Sequence, residues 1–202
     1  MAHLFAALRC AHAHLPDAKR VDYLARLSDP ETHHAILVEM IPVQKVDPAV
    51  SLEFEVAGLG AGNRTVDWVV RPHDGRTVLL DVKKRTTDFI AQAEEMAIDT
   101  SAQRPIHDPA LLFRSVEQKF MPADPLTQLQ GAWICTDIKQ DEKKLSLAFS
   151  ALCADRVHFA ILGDWESDAQ VLVRRAEDRQ YLLNLFRVTT SDRFTFRDGH
   201  EG

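Results

Sequence analysis

The chain has 202 residues, 46% of them hydrophobic and 27% charged, with a formal net charge of −6. This is the balance of a soluble globular protein large enough for one α/β domain, and its negative sign argues against broad, nonspecific coating of nucleic acid. No apolar run approaches the ~18 residues of a membrane span, and Cys10, Cys135 and Cys153 lack the spacing of a disulfide framework or a zinc site. A reducing cytoplasm is the expected compartment.

The opening MAHLFAALRC has a short apolar stretch but neither a basic start nor a clear cleavage site, so it does not read as a secretory signal. LPDAKRVDYLARLSD predicts a helix with Val21, Leu24 and Leu27 on one face. SDPETHHAILVEMIPV predicts a second, with Ser28 or Asp29 as N-cap, Pro30 at the first helical position and Pro42 at its end. VSLEFEVAG alternates as a first strand, with Leu52, Phe54 and Val56 inward and Ser51, Glu53 and Glu55 outward. GLGAGN has the glycine content of a phosphate-binding loop. It leads into a strand and not a helix N-terminus, so it reads as a flexible turn.

NRTVDWVVRPHDGRTVLLDVKKR reads as the hairpin of strands two and three. Each strand carries a carboxylate among apolar residues. Asp67 shares a face with Val69, and Asp81 shares one with Leu79 and Lys83. A two-residue Asp74-Gly75 loop would put the two acids on opposite faces. A three-residue His73-Asp74-Gly75 loop pairs position 67 with 81 and also brings Val69 and Leu79 together, so it is the expected register. Two facing carboxylates repel unless a cation or a proton joins them, and oxygen donors suit Mg²⁺ or Mn²⁺. From Arg64 to Arg85 the hairpin also carries six basic residues against three aspartates. Neutralising the acids would leave a positive face suited to a phosphodiester.

Further along, TDFIAQAEEMAID predicts a helix, and DPALLFRSVEQKF a stronger one with Asp108 as cap and Pro109 at the first position. GAWICTDI reads as strand four, Lys139 to Lys144 as a loop, LSLAFSALCA as a helix and VHFAILGDW as strand five. The tail AQVLVRRAEDRQYLLNLFRV fits either strand–turn–strand or strand–helix. His12 and His14, and His33 and His34, lack the i,i+4 spacing of helical metal ligands.

Asp67, a turn, and then Asp81-Val82-Lys83 resemble the D…(D/E)xK half-motif of the PD-(D/E)XK, or restriction-endonuclease-like, nucleases, without the family's proline before the first acid. The order of elements agrees. A core of α-β-β-β-α-β spans about residues 30–162, within a single α/β domain that has a helical N-terminal segment (1–28) and a C-terminal extension (163–202). The resemblance implies a nuclease using Mg²⁺ (or Mn²⁺). Asp67 and Asp81 would be metal ligands, the Val82 carbonyl a further one, and Lys83 the catalytic lysine. A further acid often comes from the helix before strand one. Glu39 is the candidate there, and Glu55 on strand one competes. Lys84, Arg85 and Lys119 are candidate substrate contacts. The expected partner is nucleic acid, DNA before RNA, with no membrane and with a homodimer left open. The alternative is a non-catalytic scaffold of the same fold that binds nucleic acid or a protein, for instance in a mobile-element or defence system.

Overall fold

The structure, a computed structural model, describes residues 2–47, 49–85, 109–136, 140–163, 168–190 and 195–196. Three helices lead in: α1 (Ala2–His14), α2 (Asp17–Ser28) and α3 (His33–Glu39), followed by a 3₁₀ turn at Ile41–Val43. Strands β1 (Ser51–Val56), β2 (Val66–Arg71) and β3 (Thr77–Arg85) form an antiparallel meander. Helix α4 (Pro109–Glu117) precedes β4 (Gln128–Thr136), which runs parallel to β3. Then come β5 (Gln140–Asp141), α5 (Glu142–Ser150), β6 (Phe159–Gly163), β7 (Asp168–Val173), α6 (Ala176–Phe186), β8 (Thr189–Thr190) and β9 (Thr195–Phe196). Among the described residues, seven strands make one mixed sheet in the order β1-β2-β3-β4-β6-β7-β8, and β5 pairs with β9 apart from it.

Both faces of the central strands are apolar, and both are covered. Trp68, Val70, Leu80, Trp133 and Ile161 share one core with Tyr23 of α2, Ile36 of α3, Ala7 and Ala11 of α1 and Phe186 of α6. Val69, Leu79, Ala132, Ile134 and Leu162 share the other with Phe113 and Val116 of α4 and with Leu145 and Phe149 of α5. Each large apolar side chain so buried contributes roughly 1.5–3 kcal/mol. A buried ion pair fixes the hairpin at its turn end. Arg76 Nη2 donates to Asp178 Oδ1 of α6 at 2.6 Å and to the Pro125 carbonyl at 2.8 Å, and the guanidinium lies over the Tyr181 ring. Asp178 has no solvent exposure, so losing Arg76 alone would cost about 3–5 kcal/mol.

The structure departs from the sequence expectations at several element ends. In α2 the expected Leu27 is buried, but its buried companion is Tyr23, while Val21 is 69% exposed and Leu24 39%. Tyr23 and Leu27, four residues apart, bury on one side of the helix. Lys19 and Arg26, which lie on the Tyr23 side at helical spacing, both reach Glu55 of β1. Helix α3 starts at His33 and not at Pro30; in the turn that leads into it the Asp29 carboxylate accepts the Glu31 amide (2.9 Å) and the Asp29 carbonyl accepts the His33 amide (2.8 Å). Strand β4 begins three residues before Gly131, and the polar stretch read as a loop contains β5 and the start of α5. The tail resolves as strand–helix: β7 and β8 extend the main sheet, and α6 packs against it. The helix expected over TDFIAQAEEMAID and the Asp108 cap lie outside the described residues.

Candidate active site

The hairpin register is the expected one. Trp68 pairs with Leu80, Val69 with Leu79 and Val70 with Val78, so the next step sets Asp67 opposite Asp81. The connection between strand ends is longer than the three residues expected. It runs from Pro72 to Arg76, with Gly75 at φ 82° supplying the left-handed residue that the turn needs. On the other side of β2, the pairs Phe54–Trp68 and Val56–Val66 bracket Glu55 opposite Asp67. Glu55, Asp67 and Asp81 therefore form one row across three strands.

Glu55 turns away from that row. Its backbone is left-handed (φ 48°), a conformation that costs a non-glycine residue roughly 1–2 kcal/mol. Lys19 Nζ holds its carbonyl at 3.0 Å, and Arg26 Nη1 bonds its Oε1. The Glu55 carboxylate is thus engaged by α2.

Asp67 and Asp81 are drawn together by a residue from elsewhere in the chain. Lys119 Nζ lies 2.9 Å from Asp67 Oδ1 and also bonds Asp81 Oδ1. Asp67 Oδ2 accepts the Val82 amide at 2.7 Å. Asp81 has no solvent exposure. Its Oδ2 lies 2.8 Å from Lys83 Nζ, an ion-pair contact without hydrogen-bond alignment. Two ammonium groups thus offset two carboxylates that would otherwise be costly to bury. Burial and then the Asp81 charge push the Asp67 pKa up to about 6, against the opposing effects of Lys119 and the Val82 amide. Burial works against the Lys119 ammonium, but Asp67 and Asp81 outweigh it and its pKa is raised.

Glu39 joins this cluster from the last residue of α3. The Trp68 indole donates to its backbone carbonyl at 2.6 Å and pins the helix end to β2. Its carboxylate does not face solvent, since the side chain is only 18% exposed. Oε1 lies 3.9 Å from Arg26 Nη2, and Oε2 is buried with no hydrogen-bond partner among the described residues. Burial first and Asp67 second push its pKa up to about 8, with Arg26 and Lys119 opposing.

Lys119 was expected on a helix, reaching for phosphate. It lies just beyond the end of α4, and its ammonium is engaged by the two aspartates. The loop read as a flexible turn is its seat. The Ala61 amide donates to the Lys119 carbonyl at 2.8 Å, and Arg64 Nη1 donates to the Gln118 carbonyl at 3.1 Å. A Cβ at Gly60 would stand 2.6 Å from the Arg64 oxygen and 2.9 Å from that of Lys119. No spacing in the sequence signals this contact. Lys84 and Arg85 continue β3, but their side chains lie outside the described residues.

Among the described residues, no three His, Cys, Asp or Glu side chains form a ready metal cage. The donors present still fit a hard cation. Asp67 and Asp81 each direct one oxygen at a single positive centre, and Glu39 Oε2 is buried without a partner. No family model, no curated protein and no solved structure matches this chain. No helix among the described residues is long and apolar enough to cross a membrane.

Proposed function

We propose that this protein is a divalent-metal-dependent nuclease that hydrolyses phosphodiester bonds of DNA or RNA on a restriction-endonuclease-like core. One observation carries the reading: Asp67 and Asp81, from adjacent antiparallel strands, converge on one cation, with Lys83 on the second oxygen of Asp81. The succession α3, β1, β2, β3, α4, β4 supports the fold part of the reading, because it runs in the order α-β-β-β-α-β.

Asp67 Oδ1 and Asp81 Oδ1 would hold Mg²⁺ or Mn²⁺, with Glu39 Oε2 and the Val82 carbonyl as further oxygens. The ion, when bound, supplies Lewis-acid polarisation of the scissile phosphate and the attacking water. The Val82 amide keeps Asp67 aimed. Lys83 orients the attacking water or neutralises the charge that builds on the phosphate. Its side chain is 30% exposed, so it is open both to the buried acid and to the solvent side from which a substrate comes.

A second reading, a binding scaffold of this fold without catalysis, draws on one fact: Lys119 and Lys83 together already neutralise the acid pair. A cleavage assay separates the two. Single- and double-stranded DNA and RNA are incubated with the protein in Mg²⁺, Mn²⁺ or EDTA. Cleavage with either ion, none in EDTA, and a loss of about 10²-fold or more in Asp81→Asn is the nuclease outcome. A wild-type protein that cuts nothing under any of these conditions is the scaffold.

A further inference from the structure

Lys119 Nζ occupies the point on which one oxygen of Asp67 and one of Asp81 converge. That is the point the nuclease reading gives to a divalent ion, and the inference rests on that reading. Two positive centres cannot share it, because like charges a few ångström apart repel strongly where water is scarce. The lysine is not there by chance of a flexible chain. Its side chain is only 15% exposed. Its backbone is clamped by the Ala61 amide, and Gly60 packs so closely that no larger residue fits without a shift. The loop GLGAGN, which joins β1 to β2, also seats the backbone that delivers this ammonium to the acid pair.

We propose that Lys119 is a built-in counter-ion that gates the acidic site: its ammonium holds Asp67 and Asp81 together in the metal-free protein and must leave before a divalent ion is held there. Its backbone can stay clamped while the side chain swings, because the four-carbon stem has several rotatable bonds. The gate spares the metal-free fold from facing two carboxylates with the Lys83 ammonium alone, and it weakens metal affinity by the strength of the contacts it must give up. Once released, the same ammonium is free to meet a phosphate oxygen.

The probe is Mn²⁺ alone, with no nucleic acid, titrated by calorimetry into wild type and Lys119→Met. The variant is expected to bind about tenfold tighter or more, and to melt lower than wild type when metal-free. Equal or weaker binding by the variant overturns the gate while leaving the metal reading intact. No binding by either protein overturns both. A second measurement uses wild type only, in case Lys119→Met does not fold. Acetylation by an amine-reactive ester is followed by peptide mass spectrometry, with exposed Lys143 as reference. Saturating Mn²⁺ is expected to speed labelling of Lys119 several-fold and leave Lys143 unchanged. Lys119 labelling that does not respond to Mn²⁺ overturns the gate.

Discussion

The Val82 amide donates to Asp67 Oδ2 at 2.7 Å, tying a side chain of β2 to the backbone of β3. This bond divides the two oxygens of Asp67 between a structural and a chemical task. Oδ2 is committed to the strand, and Oδ1 is left to face the cation position. The two tasks are separable by substitution. Asp67→Asn can still accept the Val82 amide through its carbonyl oxygen, whereas Asp67→Ala cannot. Both variants are expected to lose the rise in melting temperature that Mn²⁺ gives the wild type. Asp67→Ala should also fall below Asp67→Asn in metal-free stability by about 1 kcal/mol, the net worth of one such bond. A full metal-induced shift in either variant would remove Asp67 from the site.

Glu39 sets a pH dependence of definite sign. Its pKa is raised from 4.5 to about 8 in the folded chain. The stabilisation from holding it protonated is complete below about 4.5 and is lost as the pH rises through about 8. Across that window the folded chain keeps a proton that the unfolded chain has released, so stability falls with rising pH. Asp67 acts in the same sense between 3.8 and about 6. Glu39→Gln is expected to raise the melting temperature at pH 8 by roughly 3 °C or more and to change little near pH 4. Melting curves across this range, taken without divalent ions, check it. A variant that is destabilised equally at both ends would show Glu39 to be a packing residue only.

Lys83 and Lys84 are neighbours on β3, and the period of a strand makes Lys84 the control for Lys83. Lys83→Ala is expected to lower single-turnover cleavage by about 10²-fold, and Lys84→Ala to leave the chemical step nearly unchanged. The structure adds a cost. Lys83→Ala leaves Asp81 Oδ2 buried with no positive partner, which predicts a loss of roughly 1–3 kcal/mol in metal-free stability. Equal catalytic loss in both variants would mean a general basic surface and not one positioned lysine.

Gly60 is required by close approach and not by its backbone angle, which is an ordinary extended one. Gly60→Ala pushes a methyl group against the Arg64 and Lys119 carbonyls, so it is expected to cost about 1–3 kcal/mol and to loosen the seat of Lys119. Gly58 is the contrast. Its added methyl would meet nothing, but its φ of 81° makes Gly58→Ala cost about 1 kcal/mol through backbone strain. Denaturant titrations of the two variants compare them. Only Gly60→Ala should also alter Mn²⁺ affinity.

Much of the site was legible in the hairpin alone. Period two puts Asp67 with Val69, and Asp81 with Leu79 and Lys83. The requirement that Val69 meet Leu79 then selects the register that sets one acid opposite the other. These are local relations, decided by alternation and by the need to bury one face, and they survive even though the turn proved longer than expected. Glu39 was legible only as the last acid of a helix. Its burial depends on how the Trp68 indole pins that helix to β2, from 29 residues away. The face that α2 buries is likewise decided in space. Apolar spacing puts Val21 and Leu24 with Leu27, but Leu27 buries with Tyr23, on the side where Lys19 and Arg26 reach a carboxylate on β1. Lys119 is the extreme case, 52 residues from Asp67 and 38 from Asp81. A lysine just past a helix end has no periodicity to betray it. Its partners are set by where α4 docks and by a glycine loop that clamps its carbonyl, both through-space events. The sequence by itself determined which carboxylates face each other, because strand pairing is governed by near neighbours. Only the tertiary structure decided which charges neutralise them, because electrostatic partners are chosen by distance in space, whatever their separation along the chain.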